Sequence, residues 1–235
     1  MIIAAALCPA PPLLIRELTG ADQVAADLRA SCLDAVAELM AAEPEVIAVA
    51  GAAEQTSTWD AASSLDLALF APGPRGRSRA GRPPGLPPSL GVGAWLIGQA
   101  GYTGERFLQS VAADEPGGRC ASIGTSLAGA RARVSLLVMA DGSARRGQKA
   151  PGYLDERSAA FDADVARAVR TGRLDALLSI DQDLARDLMA TGRPAWQVLA
   201  GALAGRRVTS EVRYAGDPFG VAYLVASLRV PPGQP

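Results

Sequence analysis

Asp141-Gly142-Ser143-Ala144-Arg145-Arg146-Gly147-Gln148-Lys149 gathers most of the chemistry-bearing side chains of this chain into one short stretch. An aspartate there can ligate a cation or move a proton. A serine can act as a nucleophile if Lys149 or a carboxylate takes its proton. Arg145, Arg146 and Lys149 could receive a carboxylate or phosphate. Each residue also has a plainer use. An aspartate in an Asp-Gly-Ser turn commonly bonds the local backbone, the serine could cap the loop or touch a ligand, and the basic residues could form a solvated loop. Tyr153, just beyond, could close over the loop or pack beside the next helix. Histidine is absent from all 235 residues, which removes the usual general base near neutral pH and the commonest metal ligand.

The stretch follows Val134, Leu136, Leu137, Val138 and Met139, an apolar run that reads as a buried strand. A loop at a strand's carboxyl end is where open α/β sheets place ligands. Ile2 to Cys8 is a second such run, leaving through Pro9-Ala10-Pro11-Pro12. Thr19 with Asp22 predicts a capping box for a helix carrying Val24, Leu28, Cys32, Val36 and Leu39. Val46 to Val49 is a third strand, ending in Gly51-Ala52-Ala53-Glu54. This opening is a βαβ unit, so its strands should be parallel with their carboxyl ends side by side. The loops at Ala10 and at Ala52 to Glu54 should then face one crevice.

Leu65 to Phe70 is expected as a short strand, 72–91 as a Pro/Gly/Arg-rich loop, and Leu90 to Gln99 and Ser122 to Ala130 as helices. Gly98 to Gly104 is glycine-rich but fits neither phosphate-loop pattern. Helices are expected around Phe161, Val165 and Val169, from Leu174, after a cap at Asp181, and from Pro194. Trp95 and Trp196 read as core. Strands follow at Val208 to Tyr214 and Val221 to Val225, with a frayed tail at 230–235. The fold class is one α/β domain over 1–235, with a mixed, mainly parallel sheet and helices on both faces.

A net charge of −1 gives no case for nucleic acid or an acidic membrane surface. Cys8, Cys32 and Cys120 are widely spaced, which suggests reduced thiols in a cytoplasmic protein. Cys8 could be reactive, but an apolar strand more often uses cysteine as a small hydrophobe. The apolar start lacks a basic region and reads as a strand, not a signal peptide.

Several motifs in order carry a resemblance: the strand ending Cys8-Pro-x-Pro-Pro, the strand ending Asp141-Gly142-Ser143, Phe161-Asp162 opening a helix, Trp196-Gln197-Val198-Leu199-Ala200-Gly201-Ala202, and Gly216-Asp217-Pro218-Phe219-Gly220. Together they resemble the class III extradiol ring-cleavage dioxygenases of the protocatechuate dioxygenase β-subunit type and their Memo-like relatives. The resemblance covers most of the chain and is weakest in the middle third. It implies Fe(II) held by two histidines and a glutamate, and a further histidine as acid/base. Carried onto this sequence, the first ligand falls at Ala10, the second near Ala52 or Ala53, and the acid/base at Ala144; Glu54 stands near the expected carboxylate.

An alanine methyl offers no lone pair, so no iron cofactor is expected and ring cleavage is not. Glu54, Asp141 and Asp217 are the carboxylates left for a hard ion such as Mg²⁺. The leading expectation is an iron-free member that binds a small molecule or a protein partner in a crevice of Cys8, Ala10, Ala52, Ala53, Glu54, Asp141, Ser143, Ala144, Arg145 and Tyr153. One alternative is an enzyme of altered chemistry using Asp141 and Ser143 with Glu54 or Asp217 in one pocket. Another is a structural homo-oligomer.

Overall fold

The computed structural model describes residues 1–20, 22–70 and 85–231. In chain order these form β1 (Ile2–Cys8), a 3-10 turn (Pro12–Leu14), α1 (Arg16–Thr19), α2 (Gln23–Ala41), β2 (Val46–Ala53), β3 (Ser57–Trp59) and a second 3-10 turn (Leu67–Phe70). Then come α3 (Pro88–Gln99), β4 (Glu105–Ala112), α4 (Gly117–Ala128), β5 (Val134–Met139), α5 (Arg157–Thr171) and a third 3-10 segment (Leu174–Ser179). The chain closes with α6 (Gln182–Asp187), α7 (Arg193–Ala202), β6 (Thr209–Gly216) and β7 (Tyr223–Arg229). No described helix is long and apolar enough to cross a membrane.

The seven strands make one sheet in the order β3-β4-β2-β5-β1-β7-β6. The adjoining strands β4, β2, β5 and β1 are parallel, while β3 and β7 run against their neighbours. The α/β class with a mixed, mainly parallel sheet therefore holds. The opening βαβ unit is corrected in one respect. β1 and β2 do not adjoin, because β5 lies between them and pairs with both. The most apolar strand thereby has both backbone edges satisfied in the middle of the sheet.

The central strands read as continuous apolar runs because each faces two cores. Ala5 and Leu7, Ala48 and Ala50, and Leu136 and Val138 face α4, α5 and α7. Ala6 and Cys8, Ile47 and Val49, and Leu137 and Met139 face α2 and α3. Each fully buried Val, Leu, Ile or Met side chain contributes about 1.5–3 kcal/mol. The chain leaves β1 and β2 toward α2 and α3, but leaves β5 toward α5. The connections thus reverse face on either side of β5, the topological arrangement that opens a crevice at strand tips.

Local expectations fare unevenly. Asp22 alone caps α2, its Oδ1 accepting from the Ala25 N–H at 2.8 Å. Thr19 instead ends α1 and donates to the Ile15 carbonyl. The strand expected at Leu65 to Phe70 is a 3-10 turn, because Leu65 packs against Gly91 of α3 instead of reaching the sheet. The 72–91 loop ends early, since α3 starts at Pro88; its portion at 72–84 lies outside the described residues. In the tail, Val230 still bonds the Ile3 carbonyl, and 232–235 lie outside them.

The helix expected at Ser122 starts at Gly117, and α5 starts at Arg157, so Phe161-Asp162 sit in its second turn and do not open it. Gly172 at φ 69° ends α5, Asp181 caps α6, and Pro194 sits in the first turn of α7. Strands β3 and β4 escaped the sequence reading. Gln109 and Ser110 make β4 look like loop, yet both are buried and bond the Ser57 and Gln55 carbonyls beside β3.

Candidate functional site

Cys8 of β1, Met139 of β5 and Gly51 of β2 share one register row. Two residues further on, Ala10, Asp141 and Ala53 stand at three adjoining strand tips. The Ala10 N–H donates to Asp141 Oδ1 at 2.8 Å, across 131 residues of sequence. Asp141 is therefore no local turn residue, since its carboxylate fastens the first loop to the central strand. Its main-chain oxygen accepts from the Gly192 N–H at 2.9 Å, and a Cβ on Gly192 would meet that oxygen at 2.5 Å. Only glycine lets the start of α7 approach so closely.

Asp141 keeps a little exposed surface, but protein encloses its carboxyl group. Burial raises its pKa from 3.8 to about 6, against the lowering effect of the Ala10 N–H. Its neighbours on the α2 side are buried Tyr223, Cys8 and Cys32. Burial, then the nearby Asp141 charge, raises the Tyr223 phenol. Burial, then its hydrogen bond with Cys8, raises the Cys32 thiol well above the ordinary range. The raised Cys32 thiol carries little thiolate, and Cys8, wholly buried in β1, packs as a small hydrophobe. The Ala52 carbonyl accepts from Ser89 Oγ at 2.7 Å, tying β2's end to α3. Glu54 is exposed.

Ser143 turns the other way. It is fully buried; its N–H donates to Asp162 Oδ1 at 2.9 Å and its Oγ to Asp162 Oδ2 at 2.6 Å. A Cβ on Gly142 would lie 2.8 Å from Asp162 Oδ1, so that glycine admits the clamp. Arg146 bonds Asp217 through Nε at 2.8 Å, with Asp162 at 3.7 Å. Burial raises the Asp162 carboxyl above its ordinary value, outweighing the two Ser143 hydrogen bonds and Arg146, with Asp217 adding to the rise. We expect Ser143→Ala to cost about 1–2 kcal/mol in urea or thermal unfolding, because it strips one donor from a buried carboxylate; an unchanged stability would contradict the clamp.

Ala144 is buried, donating to the Leu188 carbonyl and accepting from the Gly152 N–H. The Arg145 carbonyl accepts from Asp155 N–H and Ser158 Oγ, and its Nε is buried without a partner. Tyr153, at φ 58° and 75% exposed, neither closes the strand-tip region nor packs beside α5.

The expected single crevice is thus two groupings. Cys8, Ala10, Ala53 and Asp141 sit together at the tips on the α2 side, with Ala52 and Glu54 at their edge. Ser143, Ala144 and Arg145 turn toward α5 and α6, and Tyr153 stands exposed beyond them. Ser143 and Asp217 are joined through Asp162 and Arg146, while Asp141 bonds Ala10 on the other side and Glu54 is exposed, so Asp141 and Ser143 do not share the single pocket expected of the altered enzyme. Among the described residues no three of His, Cys, Asp or Glu are placed to hold a metal ion. Sequence reading named neither Asp162, Tyr223 nor Cys32 as part of a site. The Phe161-Asp162 motif was the only signal for the first.

No protein-family model matches this chain, and no curated protein does. Among solved structures it is similar to the crystal structure of uncharacterized protein JW3007 from Escherichia coli K12. The TM-score is 0.54 at 12% identity, over 97% of this chain and 99% of that one. The two share a fold; at this identity the likeness carries nothing about chemistry.

Proposed function

We propose that this chain is an iron-free relative of the class III extradiol dioxygenases that serves as a small-molecule-binding module at the tips of β1, β5 and β2. What supports this reading above all is the row Ala10, Asp141 and Ala53, three strand tips flanking the place where connections reverse face. The resemblance calls for iron ligands at Ala10 and near Ala52 or Ala53, and these positions carry methyl groups.

Fe(II) does not fit these residues. The chain has no imidazole, Glu54 is exposed, and one Asp141 oxygen is taken by the Ala10 N–H. A 2-His-1-carboxylate face needs three convergent donors. The tips instead offer the partly exposed methyl groups of Ala10 and Ala53, suited to a small, largely apolar ligand.

Metal analysis of purified protein after reconstitution with Fe(II), joined to oxygen-uptake assays on protocatechuate and catechol, tests the reading. We expect iron well below one per chain and no uptake above the buffer blank. Stoichiometric iron bound at the tips, or ring cleavage, would overturn it.

A further inference from the structure

A cavity lies on the far side of the β5 loop, independent of the strand-tip reading. Its volume is about 260 Å³, below the roughly 300–1,000 Å³ of sites for drug-sized ligands, so its occupant is small. Apolar walls come from Val165 and Ala166 of α5, Trp196 of α7 and Leu224 of β7; its charged groups are Asp162, Arg146 and Asp217.

The charges do not balance. One guanidinium faces two carboxylates, leaving one negative charge in a largely apolar space. Arg146 gives its short contact, 2.8 Å from Nε, to Asp217. Asp162 is left 3.7 Å from the same nitrogen, with only the two neutral Ser143 donors bonding it directly. Neutral donors stabilise a carboxylate less than a paired cation does. Burial raises the Asp162 carboxyl more than the Ser143 donors and Arg146 lower it. Asp217 and Arg146, with side chains 42% and 26% exposed, leave an approach from solvent.

An entering anion would add to the surplus negative charge, and a neutral ligand would leave it uncompensated. A cation removes it. We infer that this cavity is a binding site for a small organic ammonium, with Asp162 as its counter-ion and Asp217 at its mouth.

Choline and its uncharged isostere 3,3-dimethylbutan-1-ol separate charge from shape. Isothermal titration and thermal melts of the full chain, at constant ionic strength, are the readouts. Choline should bind saturably and raise the melting temperature; the alcohol should do neither. Asp162→Asn should weaken choline by about tenfold or more, since it removes the facing charge. Because Asp162 also clamps Ser143, the rim variant Asp217→Asn provides a test with less risk to folding; it should weaken choline in the same direction. The inference is overturned if the alcohol binds as well as choline, if acetate binds better, if wild-type protein shows no choline binding, or if both folded variants bind choline unchanged. None of these results bears on iron at the strand tips, so the two readings fail separately.

Discussion

Asp141→Asn is expected to gain stability over wild type as pH rises from 4 to 7.5, by up to about 3 kcal/mol. The shift of its pKa from 3.8 to about 6 is about two units, and each unit is worth about 1.4 kcal/mol. An acid whose pKa is raised on folding binds its proton more tightly in the folded state. Its contribution favours the fold below pH 4 and becomes a cost as pH climbs through 6. The asparagine amide oxygen can still accept from the Ala10 N–H but carries no charge to desolvate, so the variant escapes that cost. Near pH 4 the two proteins should be equally stable. Asp141→Ala leaves the Ala10 N–H without its acceptor and should fall below Asp141→Asn at every pH, by about 1–3 kcal/mol. Urea unfolding across this range decides the matter; a difference between wild type and Asp141→Asn that does not change with pH would mean the carboxyl group is not enclosed as described.

Gly201→Ala should be among the most damaging single-methyl additions to this protein. Its Cβ would lie 2.2 Å from the Ala121 carbonyl oxygen and 2.5 Å from Ala121 Cα. The clash is with main chain, so no rotamer change relieves it, and α4 and α7 must separate. We expect a loss of about 3 kcal/mol, the upper end of ordinary overpacking costs. For a chain of this length that lowers the melting temperature by roughly 6–12 °C. Moving α7 also disturbs Gly192 and Trp196, which hold the Asp141 turn and one wall of the α5-side cavity. Gly118→Ala is the control: it lies in the same α4, a Cβ there meets nothing within 4 Å, and its stability should stay within about 0.5 kcal/mol of wild type or exceed it. Equal losses from the two variants would show that helix propensity, not the close approach, governs this face.

Phe161, Val165 and Val169 marked α5 because apolar spacing alone reports a helix. Asp181, Gly172 and Pro194 marked its neighbours because caps and stops act over one turn. The runs Ile2 to Cys8 and Val134 to Met139 carried the α/β class, since only strands buried on both faces read so uniformly apolar. The lack of histidine removed the imidazole ligands that the resemblance calls for, a reading that needed no coordinates.

The partners of these segments were not legible. Nothing within β1 or β2 says that β5 slides between them, for strand order is a choice among distant pairings. Gln109 and Ser110 hid β4 because their polar groups are satisfied by carbonyls some fifty residues away. Asp141 and Ser143 are two residues apart yet serve opposite faces of the sheet. One meets Ala10, 131 positions distant, and the other meets Asp162 on a helix that local rules place without aiming. Sequence alone determined most of the helices, the apolar central strands and the donor types this chain can offer, because propensity, capping and donor identity are properties of neighbouring residues. Tertiary structure alone decided which side chains share a site, because that depends on long-range strand order and on glycines small enough to let backbones touch.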